Sequence, residues 1–261
     1  MENKNFETVE FSVDNNTATI TLNRPQALNA LTDQVAFDLS EAFEICRNES
    51  IKVVILTGKG KAFSSGGDIK LMTQMETNPN VISSMLENLH KVIIQMRNLE
   101  KPIIGAINGF AMGAGLSFAL ACDFRIAAKS TTYSCAFVNI GLVPDCGGSF
   151  FLTKLLGYAK ATELMMLGDT INSDQALELG LLNRVVPDDE LSIVAKNFAL
   201  ELSKKPSQSI ARIKQLVNRA IISDLSDQLA LEGVFQKEAS RTADFKEGIT
   251  AFIEKRKPQF K

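Results

Sequence analysis

Val9, Phe11 and Val13 alternate with polar neighbours, and Ala18, Ile20 and Leu22 do the same beyond the turn-forming pair Asn15-Asn16. Period-two alternation on either side of such a pair predicts a β-hairpin. Pro25 ends its second strand, because proline brings no N–H donor to a ladder. At Thr32, a helix-capping residue type, the period changes. Val35, Leu39, Ala42, Phe43 and Cys46 then fall on one helical face. KVVILT (52–57) reads as a short buried strand, broken by Gly58-Lys59-Gly60. Between Val81 and Leu99 the apolar positions Ile82, Met85, Leu86, Leu89, Ile93 and Met96 keep helical spacing.

The same alternation of elements continues. PIIGAIN (102–108) predicts a strand, LSFALACD an apolar helix, and FRIAA another strand. Helices follow over Ser149 to Leu156, Ala159 to Leu167, and Ser173 to Leu179 with Gly180 as a stop. NRVV (183–186) is a last short strand, and helices fill most of the remainder up to the basic tail FIEKRKPQFK. Short strands and helices thus alternate through two-thirds of the chain and the end is helical, which predicts an α/β fold with a helical appendage. No low-complexity linker and no repeat of fixed period interrupts the 261 residues.

Composition narrows the function classes. Hydrophobic residues make up 45% and charged residues 22%, and the net charge of −2 is spread along the chain without a basic block. That pattern argues against nucleic-acid and membrane-surface partners. No apolar run is long enough to span a bilayer, and MENKNFETVEF lacks an apolar signal core, so a cytoplasmic location is expected. The four cysteines (Cys46, Cys122, Cys135, Cys146) show no CxxC spacing and there is a single histidine, His90. A zinc site is therefore not expected, nor are disulfides in a reducing compartment. Any mechanism built on histidine would run through His90. It stands one step off the apolar stripe of its helix, which predicts a surface or edge position rather than a catalytic one.

Two glycine-rich loops border strands: Ser64-Ser65-Gly66-Gly67-Asp68, and GFAMGAG from Gly109 to Gly115, which opens a helix at about Gly113. Glycine lets backbone N–H groups approach a ligand closely, and a helix start adds unpaired donors with a partial positive charge. Two such N–H groups aimed at one point form an oxyanion hole. Neither loop matches GxGxxG or GxxxxGK[ST], which argues against a nucleotide loop. Tight helix-on-strand packing is the competing explanation for either loop alone. In GLVPDCGG, Asp145 stands as an isolated charge before a glycine pair.

With these stretches assembled, the chain resembles the enoyl-CoA hydratase/isomerase, or crotonase, superfamily over essentially its full length. The resemblance is carried by TITLNRPQALNAL, VVILTGKGKAFSSGGDIK, KPIIGAINGFAMGAGLSFALACDFRIAA, GLVPDCGG, GDTINSDQALELGLLNRVV and FIEKRKPQF, in that order. It implies an α/β crotonase-like spiral of ββα turns over residues 1–200. It implies a C-terminal α-helical trimerisation region over 201–261, and a homotrimer or a hexamer built of two trimers. It implies an acyl-CoA substrate, no metal, and no cofactor beyond the coenzyme A that enters with the substrate. The oxyanion-hole N–H groups would be those of Gly67 and Ala114, holding the thioester oxygen of an enolate. Coenzyme A would lie along NRPQAL and the first loop, near Ala27, Ser65, Asp68 and Ile69. Arg24 and Lys70 are phosphate contacts by charge, and Lys255 could reach a neighbouring protomer's coenzyme A. The acyl pocket would lie between the later loops and the helix around Met85 to Met96, where Phe110, Phe137, Phe150 and several methionines are available.

The chain departs from the hydratase pattern where that pattern carries its two glutamates. Ser117 and Phe137 occupy those positions, and neither is a general base on its own. Where hydratases usually have glycine, Asp145 stands, as in the ring-epoxide isomerases of phenylacetate metabolism and related double-bond isomerases. One carboxylate suffices for a 1,3-proton shift, since it takes a proton at one carbon and returns it two carbons away. Apolar Leu142, Val143 and Phe150 would raise its pKa, and a helix N-terminus nearby would oppose that. A helix N-cap is the other use of an aspartate there. The expected function is an acyl-CoA isomerase using Asp145, Gly67 and Ala114, with an enoyl-CoA hydratase and a non-catalytic acyl-CoA-binding homologue as alternatives.

Overall fold

The computed structural model describes residues 6–73 and 80–260, with the side chains of 80–82 left out. The hairpin forms as the alternation predicts, from β1 (Val9–Asp14) and β2 (Thr17–Leu22). Asn15 and Asn16 both take left-handed φ values, 46° and 64°, which suits a tight two-residue turn. Thr32 caps α1 (Asp33–Ile45) through its side chain, and Val35, Leu39, Ala42, Phe43 and Cys46 are all buried. β3 (Val53–Gly58) follows, then α2 (Ile69–Met72) and α3 (Asn80–Asn98). On α3, Met85, Leu89, Ile93 and Met96 are buried as their spacing predicts. The Ile82 side chain, expected on that stripe, lies outside the described residues.

The spiral comes from strand pairs that split between two sheets. β4 (Ile103–Ile107) enters the large sheet, β5 (Phe110–Met112) enters a small one, and α4 (Ala114–Ala121) closes the turn. β6 (Phe124–Ala128), β7 (Thr132–Ser134) and α5 (Gly148–Leu167) repeat the arrangement. β8 (Thr170–Asn172), α6 (Ser173–Glu178) and β9 (Arg184–Val186) complete the sheets, with orders β1-β2-β3-β4-β6-β9 and β5-β7-β8. The sequence shows no repeat because only the backbone plan recurs. β5, β7 and β8 are each three residues long, too short for alternation to register, and they were not expected. The two helices expected over 149–167 are one span, broken at Gly157 by a non-helical φ/ψ of 73°/173°.

Because strand side chains alternate between faces, the large sheet has two cores. Val54, Leu56, Ile103 and Ile107 pack with α1, α3 and α4. Val53, Ile55, Ile104, Ala106 and Ile126 pack on the other face against Leu191, Ala195 and Ala199 of α7 (Leu191–Ser203). Three helices end the chain: α8 (Ser207–Ala220), α9 (Leu225–Ala239) and α10 (Ala243–Ile253). Lys214 binds α8 to the rest of the molecule. Its Nζ donates to the carbonyls of Met96 (2.9 Å) and Lys101 (3.0 Å) and pairs with Asp123 at 2.7 Å.

Candidate active site

The two glycine-rich loops are joined by main-chain hydrogen bonds. Ser64 N–H donates to Phe110 C=O at 3.0 Å, and Met112 N–H donates back to Ser64 C=O at 3.0 Å. The first loop thus extends the small sheet alongside β5. On its other side Leu31 N–H donates to Gly66 C=O, and Asp68 N–H donates to Leu31 C=O. Those bonds skip the Gly67 N–H, which has no acceptor among the described residues. The Ala114 N–H is likewise free, since it opens α4 and has no preceding turn to bond to. A Cβ placed on Gly66, whose φ is +93°, would lie 3.4 Å from Ala114 N and 2.8 Å from Met112 O. The loops are therefore packed too closely for a side chain there, and the two free donors belong to adjoining segments.

NRPQAL seals the first loop. Arg24 pairs with Asp68 at 3.0 Å and also donates to Ala30 C=O. Asp68 is 9% exposed and caps α2 by accepting from Lys70 N–H. Ala27 lies in a short 3-10 turn, and the next residue's carbonyl, Leu28 C=O, accepts from Ser65 N–H. Asn29 is buried and donates to the carbonyls of Lys59 and Ala62 while accepting from Arg24 N–H. Sequence reasoning passed over Asn29, although a left-handed asparagine is a recognised turn former. Ile69 and Lys70 are exposed, and so is Lys255 at the C-terminal end of α10.

Asp145 lies in the turn that leads into α5. It does not cap that helix: Gly147 is the N-cap position and no side chain bonds to the first turn. Its Oδ1 is buried with no hydrogen-bond partner among the described residues. Burial pushes its pKa up from 3.8, opposed by the Cys146 thiol and then by the charge of His90. Leu142, Val143 and Phe150, expected to supply that burial, are 38%, 79% and 41% exposed. Cys135 is close enough that the Asp145 charge joins burial in lifting its thiol to about 11.

The hydratase glutamate positions have other uses here. Ser117, buried on α4, donates from Oγ to the Asp145 C=O at 2.9 Å. Gly148 permits that approach, because a Cβ there would lie 2.6 Å from Ser117 Oγ. Phe137 is buried with its ring against Gly113, beside the start of α4. Phe110 and Phe150 are both 41% exposed, whereas Met85 and Met96 are core residues and line no open pocket. His90 is exposed, as expected, but it is not remote from Asp145: its Nε2 accepts from Cys146 N–H at 3.4 Å. Nothing local marks it, since the partner is 56 residues away.

The model of one protein family, described as "Enoyl-CoA hydratase/isomerase", matches residues 12–261. The chain belongs to the enoyl-CoA hydratase/isomerase family. It is 38% identical over 251 residues to the 1,2-epoxyphenylacetyl-CoA isomerase of Escherichia coli, covering 95% of this chain and 96% of that protein. It is 33% identical to the trans-2-decenoyl-[acyl-carrier-protein] isomerase of Streptococcus mutans, covering 98% of each. Among solved structures, an enoyl-CoA hydratase from Polaromonas sp. JS666 matches with a TM-score of 0.93 at 35% identity, covering 97% of this chain and 99% of that one. The spiral of ββα turns is thus the crotonase fold. Members named isomerase and members named hydratase stand at similar identity, so the family does not by itself choose the reaction.

Proposed function

We propose that the protein is an acyl-CoA isomerase in which Asp145 is the only acid/base. The observation that carries this reading is the Asp145 carboxyl group: half-buried, raised in pKa, and with one oxygen unpartnered, it is free to exchange a proton. With a 3-enoyl thioester, Asp145 would remove a proton from C2, and the electron pair would pass to the thioester oxygen as a dienolate. The N–H groups of Gly67 and Ala114 would hold that oxygen. Each donor of this kind is worth about 3 to 4 kcal/mol of barrier. Asp145 would then return the proton to C4, leaving the double bond between C2 and C3. Opening a ring epoxide next to the same thioester would use the same enolate stabilisation, and the similarity to the epoxyphenylacetyl-CoA isomerase supports that substrate class.

Coenzyme A would enter as part of the substrate, along Arg24, Ala27, Ser65, Asp68, Ile69 and Lys70, with Phe137 walling the acyl end. Because Arg24 is already paired with Asp68, Lys70 is the freer phosphate contact. A homotrimer or hexamer would cover the apolar side chains that the C-terminal helices expose, among them Val217, Leu225 and Phe252, and could bring Lys255 to a neighbouring site. Hydration of a 2-enoyl-CoA is the second reading, favoured by the likeness to the Polaromonas hydratase. It needs a group to bind and activate water, which Ser117 and Phe137 do not supply.

Absorbance of the conjugated thioester separates these readings. The purified protein should generate 2-enoyl-CoA absorbance from a 3-enoyl-CoA, or turn over an aromatic ring epoxide. It should leave 2-enoyl-CoA unhydrated. Rapid loss of the conjugated band with water addition would overturn the isomerase reading, and silence towards all three substrates would favour acyl-CoA binding without catalysis.

A further inference from the structure

The Asp145 carboxylate needs an aim, yet its buried oxygen has no hydrogen bond to direct it. The Cys146 thiol bonds the carboxylate from the same turn, and further direction comes through the backbone. One peptide group follows the Asp145 side chain, and it is held at both ends. Its oxygen, the Asp145 C=O, accepts from Ser117 Oγ at 2.9 Å and from Gly148 N–H at 2.8 Å. Its nitrogen, the Cys146 N–H, donates to His90 Nε2 at 3.4 Å. Fixing both ends of the peptide plane places the Asp145 Cα in that plane, so that only rotation about its Cα–C bond is left to set the Cα–Cβ direction.

The turn needs such a hold. Cys146 and Gly147 take consecutive left-handed φ values of 49° and 80°. For a residue with a side chain that conformation is unfavourable. Cys146 is also 1% exposed, so the turn is pressed into the core and not free to relax. Ser117 comes from α4 and His90 from α3, so two helices grip the peptide from different sides.

We propose that His90 is a positioning residue for Asp145, acting through the backbone N–H of Cys146. This rests on the isomerase reading of Asp145. An imidazole nitrogen accepts only when it carries no proton, so His90 does this work in the neutral form with its proton on Nδ1.

The experiment compares His90→Leu, which cannot accept, with His90→Gln, whose carbonyl oxygen can. His90→Leu should lower kcat for 3-enoyl-CoA isomerisation about tenfold or more with KM nearly constant, as expected for misplacement of a catalytic group. His90→Gln should recover most of that loss. Because His90 and Ser117 grip one peptide, combining His90→Leu with Ser117→Ala should give a loss that differs from the product of the two single losses. Asp145→Asn is assayed alongside. If Asp145→Asn is inactive while His90→Leu turns over like the native protein, the positioning role is wrong and the isomerase reading stands. If Asp145→Asn isomerises normally, Asp145 is not the acid/base and the positioning role fails with it. Equal losses in His90→Leu and His90→Gln, or strictly multiplicative losses with Ser117→Ala, would also overturn the role. His90 is exposed, and thermal unfolding of each variant separates loss of fold from loss of aim.

Discussion

Asp145 is a charged group placed where charge is disfavoured, and that has a consequence for stability. Its folded pKa is raised above the ordinary value of 3.8, with burial the largest cause. A raised acid favours the fold fully below the unfolded pKa, and that contribution is lost as pH climbs through the folded value. At neutral pH the native carboxylate therefore opposes folding. Asp145→Asn keeps the shape without the charge and should unfold at a higher temperature than the native protein near pH 7. The gap should close as pH falls below 3.8, and thermal melts across that range would check the sign. At this scale the sequence was only partly legible. Asp145 stood out locally as an isolated carboxylate before a glycine pair, whereas Gly67 and Ala114 were named only through the resemblance to the family. His90, Asn29 and the hydroxyl of Ser117 could not be given their roles, because each acts through a partner in a distant segment. Burial raises the Asp145 pKa as expected, although Leu142, Val143 and Phe150 are themselves exposed.

At the scale of elements, the site depends on two loops and a helix start that must abut. β5 aligns the loops, and a strand of three residues leaves no periodic trace in the sequence. Helix α4 was readable from its apolar run, and its start near Gly113 was placed by the glycines; Gly113 adopts φ 51° and ψ −124°, open to few other residues. Gly66→Ala tests the close approach. Its Cβ would lie 2.8 Å from Met112 O at a φ of +93°, so either the first loop or the start of α4 must move. With one donor misaligned, kcat should fall by about 10²- to 10³-fold. Retained kcat would show that the loops tolerate separation and that the Gly67 N–H does not serve the reaction.

Across the whole molecule, the hairpin, the buried strands and the long amphipathic helices were legible because each repeats its pattern for several periods. The split of strands between two sheets was not, since it rests on long-range pairing. The attachment of the C-terminal helices was equally hidden, for it runs through side-chain contacts between distant segments, buried Lys214 among them. Lys214 and Asp123 have side chains only 6% and 15% exposed. Lys214→Met would remove one partner of Asp123, which keeps Arg97 and the Ile103 N–H, and would leave two carbonyls without their donor; it should destabilise the fold by about 1 to 3 kcal/mol, as loss of buried hydrogen bonds does. Denaturant unfolding would measure it, and a change below about 1 kcal/mol, the scale of a surface pair, would show that the other contacts of α8 hold it without Lys214. The central claim concerns one proton carried by one carboxylate, and the most direct test is the rate of 3-enoyl-CoA isomerisation by Asp145→Asn beside the native protein. The account predicts a loss in kcat of about 10²- to 10⁴-fold, the usual worth of a general acid/base, with acyl-CoA binding retained. Isomerisation by Asp145→Asn at the native rate would contradict it.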